Sequence, residues 1–313
     1  MKLAILLSTY NGEQFLREQI DSILAQTLQN WTLYIRDDGS SDGTVAIIRE
    51  YTKAHENIHF FNEQRQENVG VIRSFLGLLK GVEADYYCFC DQDDVWFPEK
   101  VQVTLEKMLT LPKEAPNLVY TDLEVVDEHL VRLFPSMIRK QSDHPNLDLL
   151  SEITENTVTG CTMMINEALK KKATSNATSI IMHDWWFALI AAAFGNLVYL
   201  DQPTVYYRQH SNNVLGARTL RKRLARFKRG KYVEDYWTLI HMTQQQARDL
   251  LTFFDGELTV EQKELLELFA TLGKAPMRKR IEILKNTHLR KNKWFHTLIF
   301  RTLLSTNFGN KVN

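Results

Sequence analysis

The stretch YYCFCDQDDVW, residues 86–96, joins an apolar segment to a cluster of acidic residues. Its first five residues are apolar on both faces, which is typical of a strand in the middle of a parallel sheet. Asp91, Asp93 and Asp94 follow within four positions, where like charges destabilise a folded protein unless a cation or strong hydrogen-bond donors neutralise them. The stretch therefore predicts a central strand that ends at a metal site.

Similar strand signals precede this one along the chain. Apolar runs at residues 3–8, 31–36 and 58–61 predict strands, and apolar residues at helical spacing lie between them. Strands that alternate with helices predict an α/β fold, with a Rossmann-like, mostly parallel sheet flanked by helices. Beyond residue 118 the pattern is mixed, with a predicted strand pair near 119–125 and 157–165.

Polar sequences follow the predicted strands. They are STYNG (8–12), RDDGSSDGT (36–44), NVG (68–70) and DQDD (91–94). Ligands of open α/β sheets bind beyond the carboxyl ends of the strands. The four sequences are therefore expected to border one crevice.

Charge is distributed unevenly along the 313 residues. Residues 1–216 hold 18 Lys and Arg against 29 Asp and Glu, whereas residues 217–313 hold 20 against 9. The asymmetry predicts two parts with different roles, a domain at 1–216 and a basic helical region at 217–313. The hydrophobic content of 44% excludes general disorder.

One segment has the length of a membrane span. It is IIMHDWWFALIAAAFGNLVYL, residues 180–200, but it contains His183 and Asp184, and charged groups are rare inside a bilayer. A buried helix followed by a strand is the better interpretation. The three cysteines form no CxxC pair, which favours a reducing compartment, and polar residues follow the first apolar run at once, which favours a strand over a signal peptide.

The motifs, in this order, resemble those of family 2 glycosyltransferases. After the four strand-end sequences come TGC (159–161), HDWW (183–186) and YRQHSNNVLG (207–216), so that the resemblance covers roughly two thirds of the chain. It implies an inverting enzyme of the GT-A fold, with a nucleotide-sugar half at about residues 1–118 and an acceptor half at about 119–216. FCDQDDVW, HDWW and YRQHSNN are especially similar to bacterial rhamnosyltransferases of cell-surface polysaccharide synthesis, which use dTDP-L-rhamnose. A transferase that uses another nucleotide sugar, such as a UDP-hexose, is the alternative.

The acidic cluster suits the departure of a nucleoside diphosphate. A divalent cation that bridges the two phosphates stabilises the charge that develops on them, and Mn²⁺ and Mg²⁺ prefer oxygen ligands such as Asp91 and Asp93. The resemblance implies that Asp93 is a direct ligand, that His210 completes the site, and that Asp91 faces the ribose or a metal-bound water. Asp94 is expected to cap the next turn or to orient its neighbours. A plain helix cap would explain one aspartate but not three.

The resemblance also assigns residues to the donor nucleotide. It places Thr9, Tyr10 and Asn11 beside the base, with Tyr10 stacked on it. The other donor-side residues that it implies are Asp38 at the base, Asp37 next to Asp38, Arg73 in the donor pocket and Arg208 at the diphosphate. An ordinary turn at 37–43 and a solvated Arg73 are the structural alternatives.

HDWW contains the predicted catalytic base. Inversion requires a carboxylate that takes the proton of the acceptor hydroxyl, and burial would raise the pKa of Asp184 toward that task. Trp185 and Trp186 are predicted to form an aromatic platform for a sugar, unless they belong to the core. The acceptor side is further expected to include Asp122, Gly160 and Cys161.

Two other classes of function compete with glycosyl transfer. A metal-dependent phosphohydrolase or nucleotidyltransferase would also use an acidic cluster, but it needs no aromatic pair beside Asp184. A nucleic-acid-binding protein is suggested by RTLRKRLARFKRGK, residues 218–231, but the acidic first part of the chain would repel phosphate. We expect no nucleic-acid partner.

The C-terminal region predicts a membrane-surface function. Basic clusters at 218–231, 278–280 and 290–293 alternate with apolar residues, namely Leu220, Leu224, Phe227, Trp294, Phe295, Leu298, Ile299, Leu303 and Leu304. This is the composition of interfacial helices, so a cytoplasmic enzyme on the inner face of the membrane, near a lipid-linked saccharide acceptor, is predicted. Packing on the catalytic domain or in a homodimer is the alternative.

Overall fold

The structure is a computed structural model and describes residues 1–174, 180–210 and 232–310. Its first part alternates strands and helices, as the apolar pattern predicts. The elements are β1 (Leu3–Thr9), α1 (Leu16–Leu24), β2 (Thr32–Asp37), α2 (Thr44–Ala54), β3 (Ile58–Phe60), α3 (Val71–Gly81) and β4 (Tyr86–Cys90). All five residues of β4 are buried, so the central strand predicted from the apolar run is confirmed.

The second part of the sheet is irregular. Its elements are β5 (Val95–Trp96), α4 (Lys100–Leu109), β6 (Asn117–Val126), β7 (Arg132–Phe134), α5 (Met137–Gln141), α6 (Leu149–Glu152), β8 (Met163–Asn166), α7 (Glu167–Thr174), α8 (His183–Phe194) and β9 (Asn196–Arg208). The segment that imitates a membrane span contains α8 and the start of β9, which confirms the buried helix and strand.

The strands form one sheet in the order β3-β2-β1-β4-β8-β6-β9-β5, with β7 paired to β6. The pairs β1–β2, β1–β4 and β2–β3 are parallel, but β8 is antiparallel to both β4 and β6. The sheet is therefore mixed: three of its parallel pairs lie in the first hundred residues, and a further long parallel pair, β6–β9, lies in the second part of the chain. The predicted strand pair forms as β6 and β8, but β8 begins only at Met163 because Gly160–Thr162 is a 3₁₀ turn.

The two faces of the sheet bury separate hydrophobic clusters. Along β1, Ala4 and Leu6 belong to one cluster, whereas Leu3, Ile5 and Leu7 belong to the other. This division follows from the two-residue period of a strand. Cys88, Cys90 and Cys161 are free and buried, as expected of small apolar core residues.

Within residues 232–310, four α-helices follow the sheet: α9 (Tyr232–Phe254), α10 (Val260–Thr271), α11 (Met277–Asn286) and α12 (Trp294–Thr306). Their buried apolar residues belong to the hydrophobic cluster that contains Ala4, Leu6 and α8. The rings of Phe194 and Phe254 lie 4.9 Å apart in this cluster. The helical character expected of this region is thus confirmed where it is described, while the division of the chain at residue 216 stays a prediction. The basic run 218–231, with Leu220, Leu224 and Phe227, lies outside the described residues.

No helix in the described ranges combines the length and the apolar character that a membrane span requires.

Candidate active site

The acidic cluster lies where β4 ends and is joined there by the end of β9. Asp93 Oδ2 lies 2.7 Å from His210 Nε2, although the two residues are 117 positions apart in sequence. Both side chains are largely buried, with 14% and 10% exposure. β9 thus brings the histidine of YRQHSNN to the aspartate of DQDD, which the resemblance leads one to expect.

Asp91 is half-buried and lies near two other carboxylates. Partial burial, together with the negative charges of Asp93 and Asp184, raises its pKa to about 7. A divalent cation at this position would relieve the repulsion, and carboxylate oxygens are the ligands that Mg²⁺ and Mn²⁺ prefer. The donor set of Asp91, Asp93 and His210 therefore fits a divalent metal.

Asp94 is fully buried and has a different environment. Its Oδ1 accepts the backbone N–H of Arg208 over 3.1 Å, and its carboxylate also accepts the thiol of Cys161. Burial raises the pKa of both Asp94 and Cys161. Asp91, Asp94 and Cys161 hold potential metal-ligand atoms within 4.8 Å of one another, but a protonated thiol that donates to a carboxylate orients the turn and is a poor ligand.

Arg208 connects the turn after β4 to α1. Its Nε donates to the carbonyl of Asp93 over 2.8 Å, Nη1 donates to the carbonyl of Glu128, and Nη2 pairs with the carboxylate of Glu18. The guanidinium also lies 4.5 Å over the ring of Phe15. With 2% of its surface exposed, Arg208 holds the turn that contains Asp93 in place. Its expected contact with a diphosphate stays a prediction.

A cavity of about 210 Å³ adjoins His210. Tyr10 and Asn11, after β1, form one side of it, and Gln92 forms another. Gln92 binds both the backbone N–H of Tyr10, over 2.7 Å, and its carbonyl, over 3.0 Å, so the β1 and β4 loops are joined. The ring of Tyr10 is 50% exposed, which leaves it free to stack on a base.

Asp37, the last residue of β2, and Asp38, which follows it, are both buried. Asp37 accepts the hydroxyl of Thr9 over 3.0 Å and the N–H groups of Gly39 and Ser40. Gly39 has a φ of +83°, a conformation that favours glycine. These hydrogen bonds build an ordinary turn, which is the structural alternative given above for residues 37–43. They also fix the loop beside the cavity.

Asp38 holds the loop before α3. It pairs with Arg36 over 2.6 Å and accepts the N–H groups of Val69, over 2.8 Å, and Gly70, over 2.9 Å. Arg73 lies in the first turn of α3 and is exposed. The roles of Asp37, Asp38 and Arg73 toward the donor stay predictions.

Asp184 lies in the first turn of α8, largely buried at 9% exposure. Its Oδ2 accepts the N–H of Gly160 over 3.1 Å, and its Oδ1 accepts the N–H of Trp185 over 2.6 Å and the amide of Asn156 over 3.3 Å. Burial raises its pKa to about 6 despite these donors. Such a carboxylate is ionised near neutral pH and retains a lone pair on Oδ2, as a general base requires.

The tryptophans of HDWW are core residues. Trp185 is 7% exposed and donates its indole N–H to the carbonyl of Glu152 over 2.8 Å. Trp186 is 1% exposed and donates to the carbonyl of Ala173 over 3.0 Å. The prediction of a sugar platform is therefore wrong, because two consecutive residues of a helix that is buried on all sides both pack in the core.

Asp122 also has a structural position. Its carboxylate accepts the hydroxyl of Ser136 and the N–H groups of Leu123, over 2.8 Å, and Met137, over 3.0 Å. It thus fixes the start of α5, and the expectation of an acceptor-side contact is corrected for this side chain. Gly160 and Cys161 do adjoin the site, through Asp184 and Asp94.

The sequence does not predict the contacts of several residues in and around the site. Asn156 binds Asp184, Gln92 joins two loops, and the buried ammonium of Lys100, whose pKa is lowered by burial, lies 4.7 Å over the ring of Trp96. An amide or a lysine in a polar stretch carries no signal of its own. The position of Gln92 inside the acidic cluster was the one usable indication.

A mixed α/β sheet with a carboxylate–histidine pair and a buried carboxylate beyond its strand ends defines a glycosyltransferase of the GT-A type. The chain belongs to glycosyl transferase family 2, whose model matches residues 4–172. It is 29% identical to the dTDP-rhamnosyl transferase RfbG of Shigella flexneri over 246 residues, which is 74% of this chain and 80% of that protein. It is also 34% identical to the putative glycosyltransferase EpsE of Bacillus subtilis, over 133 residues that cover 42% of this chain and 46% of EpsE.

Solved structures agree with the fold. The structure of TarS residues 1–349 from S. aureus in complex with UDP-GlcNAc aligns with a TM-score of 0.60, over 99% of this chain and 92% of that one, at 15% sequence identity. At this identity the likeness establishes the GT-A fold and nothing about the donor.

Proposed function

We propose that the protein is an inverting rhamnosyltransferase that transfers L-rhamnose from dTDP-L-rhamnose to a hydroxyl of a lipid-linked saccharide. The observation that carries the reaction type is the buried carboxylate of Asp184, which lies near enough to Asp91 for its negative charge to raise the pKa of Asp91. A sugar held between a metal-bound diphosphate and this base would be attacked from the face opposite the leaving group. The similarity to RfbG supports rhamnose as the sugar.

The residues divide the work of such a transfer. Asp91, Asp93 and His210 would hold Mn²⁺ or Mg²⁺, which supplies positive charge to the departing diphosphate. Arg208 keeps the Asp93 turn in place, and Tyr10 offers its exposed ring to the base. Asp184 would accept the proton of the attacking hydroxyl through Oδ2.

The test is to incubate the purified protein with Mn²⁺ and a panel of nucleotide sugars and to identify the products. Release of dTDP with an α-rhamnoside, and thermal protection by dTDP-L-rhamnose above that by UDP-hexoses, are expected. Release of a nucleoside monophosphate would indicate a phosphohydrolase or nucleotidyltransferase. Turnover of a UDP-hexose alone would retain glycosyl transfer and reject rhamnose.

We also propose that α11 and α12 rest on an anionic membrane surface. Trp294 and Leu298 are 79% and 61% exposed, and they line a groove of about 520 Å³ together with Lys285 and Arg301. Exposed Arg278, Lys279 and Arg290 lie on the same helices or the loop between them. Apolar side chains among basic ones match a surface of anionic headgroups over acyl chains, and each basic residue contributes about 1 kcal/mol near such a surface.

The structure also limits this surface. Leu303 and Leu304 are buried in the protein, so the packing alternative holds for that face of α12. Among the basic residues, Arg280 donates to the carbonyl of Ser305, and Lys291 donates to the carbonyl of Thr154. Both are largely buried and are unavailable to lipid.

A further inference from the structure

The carboxylate of Asp184 is bound by a side chain from another loop. Asn156 lies between α6 and the 3₁₀ turn, and its amide nitrogen donates to Asp184 Oδ1 over 3.3 Å. The same nitrogen donates to the carbonyl of Val158 over 2.9 Å, and the amide oxygen accepts the N–H of Val158 over 2.8 Å. Because the oxygen is bound to this N–H, the nitrogen must face Asp184. Asn156 therefore offers the proposed base a donor of fixed direction.

The loop just before this amide is held by the C-terminal region. The hydroxyl of Thr154 donates to the carbonyl of Arg290 over 2.6 Å, and the ammonium of Lys291 donates to the carbonyl of Thr154. The backbone N–H of Asn292 donates to the carboxylate of Glu155 over 2.7 Å. Three consecutive C-terminal residues thus bind the two residues that precede the amide donor, although 136 or 137 positions separate the partners in sequence.

The ammonium of Lys291 is buried. Lys291 is 5% exposed, and burial lowers its pKa. Taking an ammonium out of water costs stability, and a methionine of similar length would fill the same space without that cost. What the methionine would lack is a donor for the carbonyl of Thr154. The buried charge therefore secures the backbone of the loop that leads to Asp184.

Lys291 is itself fixed by α12. Thr297 Oγ1 accepts the backbone N–H of Lys291 over 3.0 Å and donates to its carbonyl over 2.7 Å. The ammonium lies 5.2 Å from the centre of the Phe300 ring on the same helix. Both ends of the Lys291 side chain are held, as an anchor for another loop requires.

We propose that Asn156 positions the carboxylate of Asp184 for proton transfer, and that Lys291 positions Asn156 through the backbone of Thr154. Both are positioning residues, because each acts through another residue. The proposal gives the C-terminal region a part in the geometry of the base. It rests on the proposed glycosyl transfer and on Asp184 as its base.

Three variants and a matched control test the proposal. Asn156→Ala removes the donor to Asp184, and Lys291→Met removes the ammonium but keeps a side chain of similar length. Lys291→Arg keeps a charged donor. Lys170→Met is the control, because Lys170 is also 5% exposed and donates to a backbone carbonyl over 2.7 Å. That carbonyl belongs to Val82, which precedes β4 and so lies at the edge of the sheet opposite the site.

We expect Asn156→Ala to lower kcat by about tenfold and to leave the Kd of the donor unchanged, since one hydrogen bond to a charged group is lost. Lys291→Met should lower kcat to a smaller extent, and Lys291→Arg should recover most of that loss. The double variant Asn156→Ala, Lys291→Met should be no slower than Asn156→Ala alone, because both changes remove the same effect. Lys170→Met should change the thermal midpoint and leave kcat as it is.

The pH profile of kcat separates positioning from a general loss of stability. Burial raises the pKa of Asp184 to about 6, and the amide of Asn156 is one of the donors that limit this rise. Without that donor the acid limb of the profile should move to higher pH, and the lysine variant should shift it in the same direction. Asp91 and Glu152, which the charge of Asp184 reaches, and the neighbouring His183 are the same in every variant. The control should keep the wild-type profile.

The outcomes that contradict the proposal are distinct from those that contradict the proposed function. If the wild type transfers sugar and Asp184→Asn does not, a wild-type kcat and pH profile in Asn156→Ala or in Lys291→Met overturns the role of that residue. A double variant slowed by the product of the two single losses would show that Lys291 acts by another route. If Lys291→Met does not fold, Thr154→Val, which removes the hydroxyl bound to Arg290, takes its place with the same expected shift. A wild type that transfers no sugar would reject the proposed function, and this inference with it.

Discussion

Asp93 and His210 are in direct contact, with Oδ2 and Nε2 separated by 2.7 Å, and this contact joins the segments that follow β4 and β9. In the proposed enzyme a divalent cation would be bound by both residues. Binding of the metal and its donor would therefore also stabilise the contact between these two distant segments of the chain.

Removing the carboxylate of Asp93 should abolish metal-dependent binding of the donor. We expect Asp93→Ala to lower turnover by about a thousandfold or more, because the developing charge on the diphosphate loses several kcal/mol of stabilisation. Titration of the nucleotide with and without EDTA measures the effect, and Asp255→Ala, at an exposed carboxylate paired with Lys263, is the control. Activity that is indifferent to EDTA and to Asp93→Ala would reject the metal site.

The amide variant of Asp184 should separate chemistry from binding. Asp184→Asn keeps the shape of the side chain but cannot accept the acceptor's proton, so we expect turnover to fall by about 10²–10⁴ while the Kd of the donor is retained. Rapid-quench measurements with saturating donor test this expectation. A variant with most of its turnover would place the base elsewhere, and not at Asp122, whose oxygens bind the start of α5.

The pH dependence follows from the raised pKa of Asp184. The base works only when ionised, so kcat should fall as the pH decreases through about 6. The folded-state pKa is above the ordinary value, so protonation favours the folded protein, and this stabilising contribution should grow as the pH falls below 6. Comparison of the wild type with Asp184→Asn isolates both effects; a flat kcat from pH 5 to 8 would contradict the assignment.

A methyl group at residue 160 should obstruct the site. In Gly160→Ala the new Cβ would crowd His183 Nε2 at 3.0 Å, and we expect kcat/KM to fall by at least tenfold. Gly77→Ala on α3 is the matched control, because its Cβ meets nothing within 4 Å and should stabilise the helix by about 0.5–1 kcal/mol. Unchanged kinetics in Gly160→Ala would show that the activity does not depend on this close contact beside Asp184.

Flotation on liposomes tests the membrane surface. The protein should float with vesicles rich in phosphatidylglycerol at low salt, and the double variant Trp294→Ser, Leu298→Ser should stay in the bottom fraction. Val260→Ser removes an apolar residue of similar exposure, 67%, from α10 and should float as the wild type does. A wild-type protein that ignores anionic vesicles would assign this face to a protein partner.

The sequence alone predicts the framework of the site well. Strand ends in an α/β sheet meet at one edge, so the polar sequences after β1, β2 and β4 had to converge. The sequence predicts less well which side chains of the site are exposed. Trp185 and Trp186 have the composition of a sugar platform, but a helix covered on all sides buries them both.

Contacts between residues that are far apart in the sequence explain the other differences between the predicted and the observed site. Ser136 and Met137 bind Asp122 from 14 and 15 residues away, and Glu18 meets Arg208 across 190 positions. No local pattern reports such contacts, since they depend on where separate elements pack. For the same reason the close approach of Gly160 to His183 and Asp184 becomes visible only when the 3₁₀ turn and α8 are seen together.

The C-terminal helices pack on α8, and this packing limits how far the protein can be shortened. Gln246 binds the backbone just before α8, at Ile181, and Gln262 binds its last turn, at Ala193, so the helix that carries Asp184 is clamped at both ends by residues from beyond position 232. A chain that ends after β9, at residue 210, would keep α8 but expose its apolar side and release its hold on the base. Activity and solubility should be lost together in such a truncation.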